Sequence, residues 1–367
     1  MKLIGITGSS GKTSVAEIVY QYLLYRGYNA SLYCSNGMFC NGLTRVKDFF
    51  QTTLYGKELL EFLEEDKKNE VEYAIIEITA ESVNRNDSVH LLPYDVVALT
   101  NFFSGLHNHF EGENHYFNCK KTILSSQKTK NILIRYEDPN YSMFSDLDHI
   151  TYGYSDEADY QMVVVNNTIN GLKLYYDKEW FTTNLITGYH GRNMACALAI
   201  LSVLEIMDIH EFKEFAKNIF IRGRFEKFTI KDKTVIIDTG FVGTGLLLSG
   251  LEQTIGNKNY KTIFSNVHYS DVNDWVINAR KNVGKYLKES KFIYLTNPTN
   301  EKDEEEIFLR DVIADNNFTR YKYIPSIKDA CLYALNELDN NETLVIICRN
   351  HYREYRKVLE NLKSSII

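Results

Sequence analysis

The chain has 367 residues, 44% apolar and 24% charged, the balance of a globular protein long enough for two domains of ordinary size. Its formal net charge of −7 is spread along the chain and argues against nucleic acid as the main partner, and no apolar run reaches membrane-spanning length. The six cysteines (Cys34, Cys40, Cys119, Cys196, Cys331, Cys348) form no C-x-x-C pair and no metal-ligand spacing. Reduced thiols in a cytoplasmic protein without a signal peptide are the expectation.

Leu3 to Ile6 reads as a short buried strand, followed by the Gly/Ser-rich loop Thr7-Gly8-Ser9-Ser10-Gly11-Lys12-Thr13 and an amphipathic run from Ser14. Strand, loop and helix in that order are the context of a phosphate-binding loop. Gly8 and Gly11 let the backbone of Ser9, Ser10 and Ser14 turn amides toward one anion at the helix N-terminus. Lys12 adds positive charge for the β- and γ-phosphates, and the Thr13 hydroxyl is suited to Mg²⁺. The fit to G-x-x-x-x-G-K-[ST] departs at Ile6, where the first glycine belongs. A Gly/Ser turn before an ordinary helix is the plainer alternative.

The helix carries Val15, Ile18, Val19, Tyr22 and Leu23 at helical spacing and stops at Gly27. Ala30 to Tyr33 reads as a strand, residues 34 to 56 as irregular, and Lys57 to Lys68 as a helix. Tyr73 to Thr79 and Asp95 to Thr100 read as further apolar strands, which predicts a parallel sheet with helices on both faces. Ligands then bind at the carboxyl ends of the strands, where the loop, Glu77 and Asn101 would lie. Glu77 is either a solvated strand end or an acid that supports Mg²⁺ beside the loop. His107 and His109, flanked by Asn108 and Glu111, are either metal ligands or part of a polar loop. Lys120 and Lys121 are expected to open a helix; on composition alone Lys120 faces solvent.

Several segments in order resemble the Mur ligase family. Thr7 to Ser14 looks like the family's T-G-T-N-G-K-T-[ST] loop, in which the first glycine is also often absent. Gln51-Thr52-Thr53 is similar to the T-T-P segment of the tripeptide-forming members, with Leu54 in place of proline. Glu77-Ile78-Thr79 resembles E-V-S, Thr100-Asn101 resembles T-N, and Tyr116 with Lys120 matches Y-x-x-x-K. Gly188 to Ala197, with Asn193, is similar to the G-x-x-x-x-N-x-x-A-A helix start, and Arg192 to Ile206 reads as an Ala-rich helix. Arg222 to Glu226 looks like P-G-R-M-E, and Val235 to Asp238 like the strand of V-x-x-D-Y-A-H. Leu295 to Pro298 resembles the D-N-P-R region, and Cys348 to His351 resembles G-K-G-H. The departures fall in the amino-acid half: Phe241 at the family's histidine, Thr239 at its tyrosine, Thr299 at its arginine, Asn350 and Tyr352 in its G-x-E segment.

The resemblance implies an α/β architecture in two parts. Residues 1–221 would be a P-loop central ATP-binding domain with a mostly parallel sheet and a small antiparallel extension between Ile132 and Thr187. Residues 222–367 would be a Rossmann-like C-terminal domain. The family's N-terminal UDP-binding domain has no counterpart, which implies an acceptor other than a UDP-sugar. The implied reaction is ATP-dependent, ADP-forming amide synthesis: a small-molecule or peptide carboxylate is activated as an acyl phosphate and attacked by an amino-acid amine. Lys12, Glu77, His107 and a carbamylated Lys120 would be catalytic, the last three joining Thr13 around Mg²⁺. Asn101, Asn193, Arg224 and Asp238 would bind ATP with the loop, Arg224 arriving by domain closure. Thr52, Thr53, Asn297, Thr299 and Asn350 would face substrate. The alternatives are a catalytically altered nucleotide-binding partner subunit and another P-loop ATPase or phosphotransferase.

Overall fold

The structure, a computed structural model, describes residues 1–46, 52–103, 110–126, 128–239, 246–256, 259–265, 281, 283–286, 288–296, 310–311, 313–348 and 351–364. The chain divides into two compact units, Met1–Ile219 and Phe220–Ile367. No helix among the described residues is long and apolar enough to cross a membrane.

The first unit is built on β1 (Lys2–Thr7), whose Ile4 and Ile6 are fully buried. An apolar strand covered on both faces belongs at the centre of a parallel sheet, and β1 lies there between β5 (Tyr73–Glu77) and β6 (Val96–Leu99). Beyond β5 comes β2 (Ala30–Cys34), then β3 (Gly37–Cys40) and β4 (Leu43–Val46), both antiparallel. Beyond β6 come β7 (Ile132–Arg135), β8 (Ile150–Gly153) and β9 (Tyr160–Thr168), all parallel. β10 (Gly171–Tyr176) and β11 (Glu179–Thr183) then close that end in antiparallel fashion. The parallel centre with a small antiparallel part is as the sequence predicts, but the extension begins at β10 rather than at Ile132, because β7, β8 and β9 continue the parallel sheet.

Helix α1 (Lys12–Tyr25) buries residues on nearly every face because it packs against both the sheet and α5 (Gly188–Val203). Each of its fully buried Val, Ile and Leu side chains contributes about 1.5–3 kcal/mol of transfer free energy. Gly27, at φ +80°, ends it: the amides of Gly27 and Tyr28 bond back to Leu24 O and Leu23 O. The other helices are α2 (Gly56–Lys68), α3 (Ala80–Asn84), α4 (Glu113–Leu124) and α6 (Ile209–Ala216).

Three further expectations fail here. Residues 34 to 56 are not irregular throughout, because a two-residue turn at Ser35–Asn36 folds β3 back on β2. Lys120 and Lys121 do not open a helix. They lie in the last turns of α4, which starts after Gly112 at φ +118°. The Ala-rich helix starts at Gly188 rather than Arg192, capped by the Thr187 side chain accepting from His190 N, and ends at Val203.

The second unit carries a sheet in the order β12 (Glu226–Ile230), β13 (Lys233–Asp238), β17 (Thr343–Ile347), β14 (Tyr260–Phe264), β15 (Ile293–Leu295), β16 (Tyr321–Tyr323). All neighbours are parallel except β12 and β13. Its helices include α7 (Leu246–Ile255), α8 (Ile327–Asn336) and α9 (Tyr352–Ser364). β12 and β16 escape the sequence reading, whose first strand in this unit is Val235 to Asp238.

Candidate active site

Three strand ends converge at the carboxyl edge of the first sheet. Register places Ile6 opposite Glu77 and Thr7 opposite Leu99, so the loop leaves β1 between Glu77 and the Thr100-Asn101 segment. Two glycines are obligatory. Gly8 sits at φ +142°, where a Cβ would collide with Thr100 Oγ1; Gly11 sits at φ +81°, where one would collide with Asn193 Oδ1.

Asn101 braces the loop. Its carbonyl oxygen accepts from Ser9 N at 3.0 Å, its Oδ1 from Ser10 N at 3.0 Å, and its Nδ2 donates to Ser10 O at 3.0 Å. Thr100 Oγ1 donates to Ser10 O at 2.5 Å. Ser9 Oγ lies 3.1 Å from the hydroxyl of Tyr116, whose burial pushes its pKa up to about 12 although the Ser9 bond opposes this. Gly11 is the N-cap of α1, and no side chain caps that terminus. The amides of the first helical turn, from Lys12 to Ser14, have no acceptor within the helix and carry the positive end of its dipole.

Glu77 closes β5 and is 2% exposed. It is not a solvated strand end: an unpaired buried carboxylate is costly, and this one accepts several hydrogen bonds. Thr13 Oγ1 lies 3.2 and 3.1 Å from its two oxygens, Ser35 N at 2.9 Å and Ser35 Oγ at 3.2 Å from Oε2, and Lys12 Nζ 3.9 Å from Oε1. Lys12 Nζ also donates to Gly8 O at 3.1 Å.

Lys120 does not face solvent. It is 1% exposed, with Nζ donating to Thr7 Oγ1 and Gly8 O, both at 3.0 Å. Burial first, and then the nearby Lys12 charge, hold its pKa well below the usual lysine value. Lys12 and Lys120 thus meet at one carbonyl oxygen beneath the loop.

Other sequence-derived candidates are distributed as follows. Asn193 is buried against Gly11. Thr52 Oγ1 lies 3.1 Å from Ser35 Oγ, and the buried Thr53 donates to Glu77 O and accepts from Thr79 N, both at 2.9 Å. In the second unit, Arg224 Nη1 donates to Gly223 O at 3.0 Å and also bonds Thr239 Oγ1. The buried Asp238 accepts from Phe225 N at 3.0 Å, holding that residue at φ +48°. His107, His109, Phe241, Asn297, Thr299 and Asn350 lie outside the described residues. Ser35 escapes the sequence reading. The Ser-Asn-Gly run that makes its hairpin is the signal that would have found it.

The phosphate loop, a buried acid bonded to the loop threonine, and two lysines below the loop make a site for a polyanion with a cation. The comparisons agree with that chemistry. The Mur ligase middle domain model matches residues 6–201. The UDP-N-acetylmuramoyl-L-alanyl-D-glutamate--2,6-diaminopimelate ligase of Buchnera aphidicola is 24% identical, over 95% of this chain and 71% of that protein. The ligase of the same name from Clostridium perfringens is also 24% identical, over 96% and 74%. Among solved structures, a folylpolyglutamate synthase from Thermotoga maritima superposes with a TM-score of 0.72 at 16% identity, over 98% of this chain and 89% of that one. A MurF from Acinetobacter baumannii gives 0.70 at 13%, over 99% and 77%. The family model alone covers more than half of the 367 residues, and the chain belongs to the Mur ligase family.

Proposed function

We propose that the chain is an ATP-dependent, ADP-forming ligase that joins a carboxylate to an amino-acid amine. The observation that carries this is Thr13 Oγ1 within 3.2 Å of both oxygens of a buried Glu77, at the uncapped N-terminus of α1. That donor set fits a nucleotide triphosphate with a divalent cation. The hydroxyl and carboxylate are hard oxygen ligands, and the helix end and Lys12 meet the phosphates.

A carboxylate is a poor electrophile at neutral pH, so amide formation needs it converted to an acyl phosphate with ATP as co-substrate. Phosphoryl transfer is chiefly a matter of alignment and charge neutralisation. The glycines fix the loop and Asn101 braces it from β6. Lys12 supplies a positive charge and is held to Gly8 O and Glu77. Mg²⁺, when bound by Thr13, Glu77 and His107, would neutralise the transferred group as a Lewis acid.

The same reading extends to Lys120. A carbamate forms only on a neutral amine, and burial beside Lys12 favours that form. Addition of CO2 to that neutral amine, with loss of a proton, would give an anion that keeps one N–H for Thr7 or Gly8. Rescue of a Lys120→Ala protein by short carboxylic acids supports it; absence of rescue counts against it.

The deciding experiment supplies ATP and Mg²⁺ with a panel of amino acids and cell-extract acids, and reads ADP and phosphate. Release only when an acid and an amine are both present, with a condensed product by mass spectrometry, is the expected result. Release with an alcohol acceptor or with water alone would replace the ligase reading by a phosphotransferase or ATPase.

A further inference from the structure

The hairpin of β2 and β3 brings one residue against the site that no motif marks. Cys34 pairs with Gly37 across the turn Ser35–Asn36, and β2 runs parallel to β5 with Tyr33 opposite Ile76. Ser35 therefore emerges at the carboxyl edge beside Glu77.

We propose that Ser35 is a positioning residue that fixes which oxygen of Glu77 faces the phosphate loop. The inference rests on the reading that this site holds a nucleotide with its cation. An ionised carboxylate only accepts hydrogen bonds, and its orientation follows its donors. Thr13 divides a single hydrogen between Oε1 and Oε2 and so selects neither. Ser35 places two donors, its amide at 2.9 Å and its hydroxyl at 3.2 Å, on Oε2 alone. Oε1 is then the oxygen left toward Lys12.

The Ser35 hydroxyl has one hydrogen and two neighbours, Glu77 Oε2 and Thr52 Oγ1 at 3.1 Å. Thr52 Oγ1 accepts from the Ser35 hydroxyl and so competes with Glu77 Oε2 for its hydrogen. Thr53 holds the backbone of the same acid through Glu77 O. Because Thr13 is itself assigned to the cation, Ser35 orients Glu77 independently of the ligand set. Partners of this kind set the metal affinity of the groups they orient.

The test is calorimetric binding of a non-hydrolysable ATP analogue to the full chain while Mg²⁺ is titrated, alongside kcat. Ser35→Ala keeps the amide bond and loses the hydroxyl. It should raise the half-saturating Mg²⁺ concentration by about tenfold, leave metal-free binding within about twofold, and lower kcat. Ser35→Thr, which keeps the hydroxyl, should recover wild-type Mg²⁺ dependence. Thr52→Val removes the competing acceptor and should lower the same midpoint by about two- to threefold, and it serves alone if Ser35→Ala does not fold. An unchanged Mg²⁺ midpoint, or equal weakening with and without Mg²⁺, overturns the proposal. A wild-type chain that binds the analogue with no Mg²⁺ dependence overturns the site reading itself, a different result from failure of the variant alone.

Discussion

Each unit of the molecule buries a glutamate at a motif the family shares, and the two are solved differently. Glu226, 4% exposed, is closed: Arg356 Nη1 pairs with it at 2.8 Å, Tyr352 donates at 2.6 Å, and Gly223 N at 3.0 Å. Glu77, 2% exposed, accepts only hydroxyl and amide hydrogens at close range among the described residues, and its cationic partner Lys12 stays 3.9 Å away. A buried carboxylate without a close counter-charge is a strained arrangement. The first glutamate acts as a structural tie for the Arg222–Glu226 segment, and under the proposed function the second has a demand for a cation that the metal would meet.

The largest effect should come from removing that demand. Glu77→Gln keeps the shape and deletes the charge, so turnover should fall about 10²–10³-fold, the scale for losing one preorganised electrostatic group. Thermal stability should change by no more than about 1 kcal/mol, because no close ion pair is broken. A variant that keeps full turnover would remove Glu77 from the chemistry. One that unfolds would make it a tie like Glu226.

The converse experiment is Arg356→Met. It strands Glu226 in a buried site and should cost about 3 kcal/mol. Burial already raises the Glu226 pKa above its ordinary value, against the opposing pull of Arg356. An acid with a raised folded pKa contributes stability that is full at low pH and lost as pH rises through that pKa. Without Arg356 the folded value rises further, so the deficit of Arg356→Met should shrink as pH falls through the range above the ordinary carboxylate value of 4.5 and level off by that value. A deficit independent of pH would mean that Arg356 acts through packing instead.

These two acids also separate what was legible in the sequence from what was not. Glu77 and Lys12 stand within short segments whose residue types and spacing encode their neighbours: an apolar strand ending in an acid, and a glycine loop entering a helix. Glu226 belongs to a motif as well, but its tie comes from Tyr352 and Arg356, more than a hundred residues away on α9. No local pattern announces that pairing. The same holds for Lys120, whose burial depends on how α4 docks beneath the loop rather than on its neighbours in sequence. Ser35 was missed for another reason. A two-residue turn between buried strands shows no period-2 alternation, so β3 reads as irregular.

Lys120 offers a smaller, graded test on the Glu77 side. Its folded pKa lies below the ordinary lysine value of 10.5. Between those two values the unfolded chain binds more protons than the folded one, so stability rises with pH across that window. The slope is at most about 1.4 kcal/mol per pH unit. Lys120→Met removes the group, so the stability difference should move in favour of wild type between pH 7 and 10 by chemical denaturation. A flat difference would mean that no free amine titrates there.

The smallest expected effect asks how far the closed arrangement around Glu226 extends. Arg356 also lies over the Phe220 ring at 5.3 Å, and Arg222 lies over the same ring at 5.5 Å. Phe220 is 37% exposed, where a cation–π contact is worth about 0.5–1 kcal/mol. Phe220→Leu keeps most of the apolar volume and deletes the quadrupole. Because Phe220 has other neighbours, the single variant mixes terms; a double-mutant cycle with Arg356→Met isolates the pair. A coupling of about 0.5–1 kcal/mol would show that the ring helps hold the guanidinium against Glu226. A coupling of zero would leave Glu226, Tyr352 and Glu360, which accepts from Arg356 Nε at 2.8 Å, as the groups that orient it, and would confine the closed arrangement to β12 and α9.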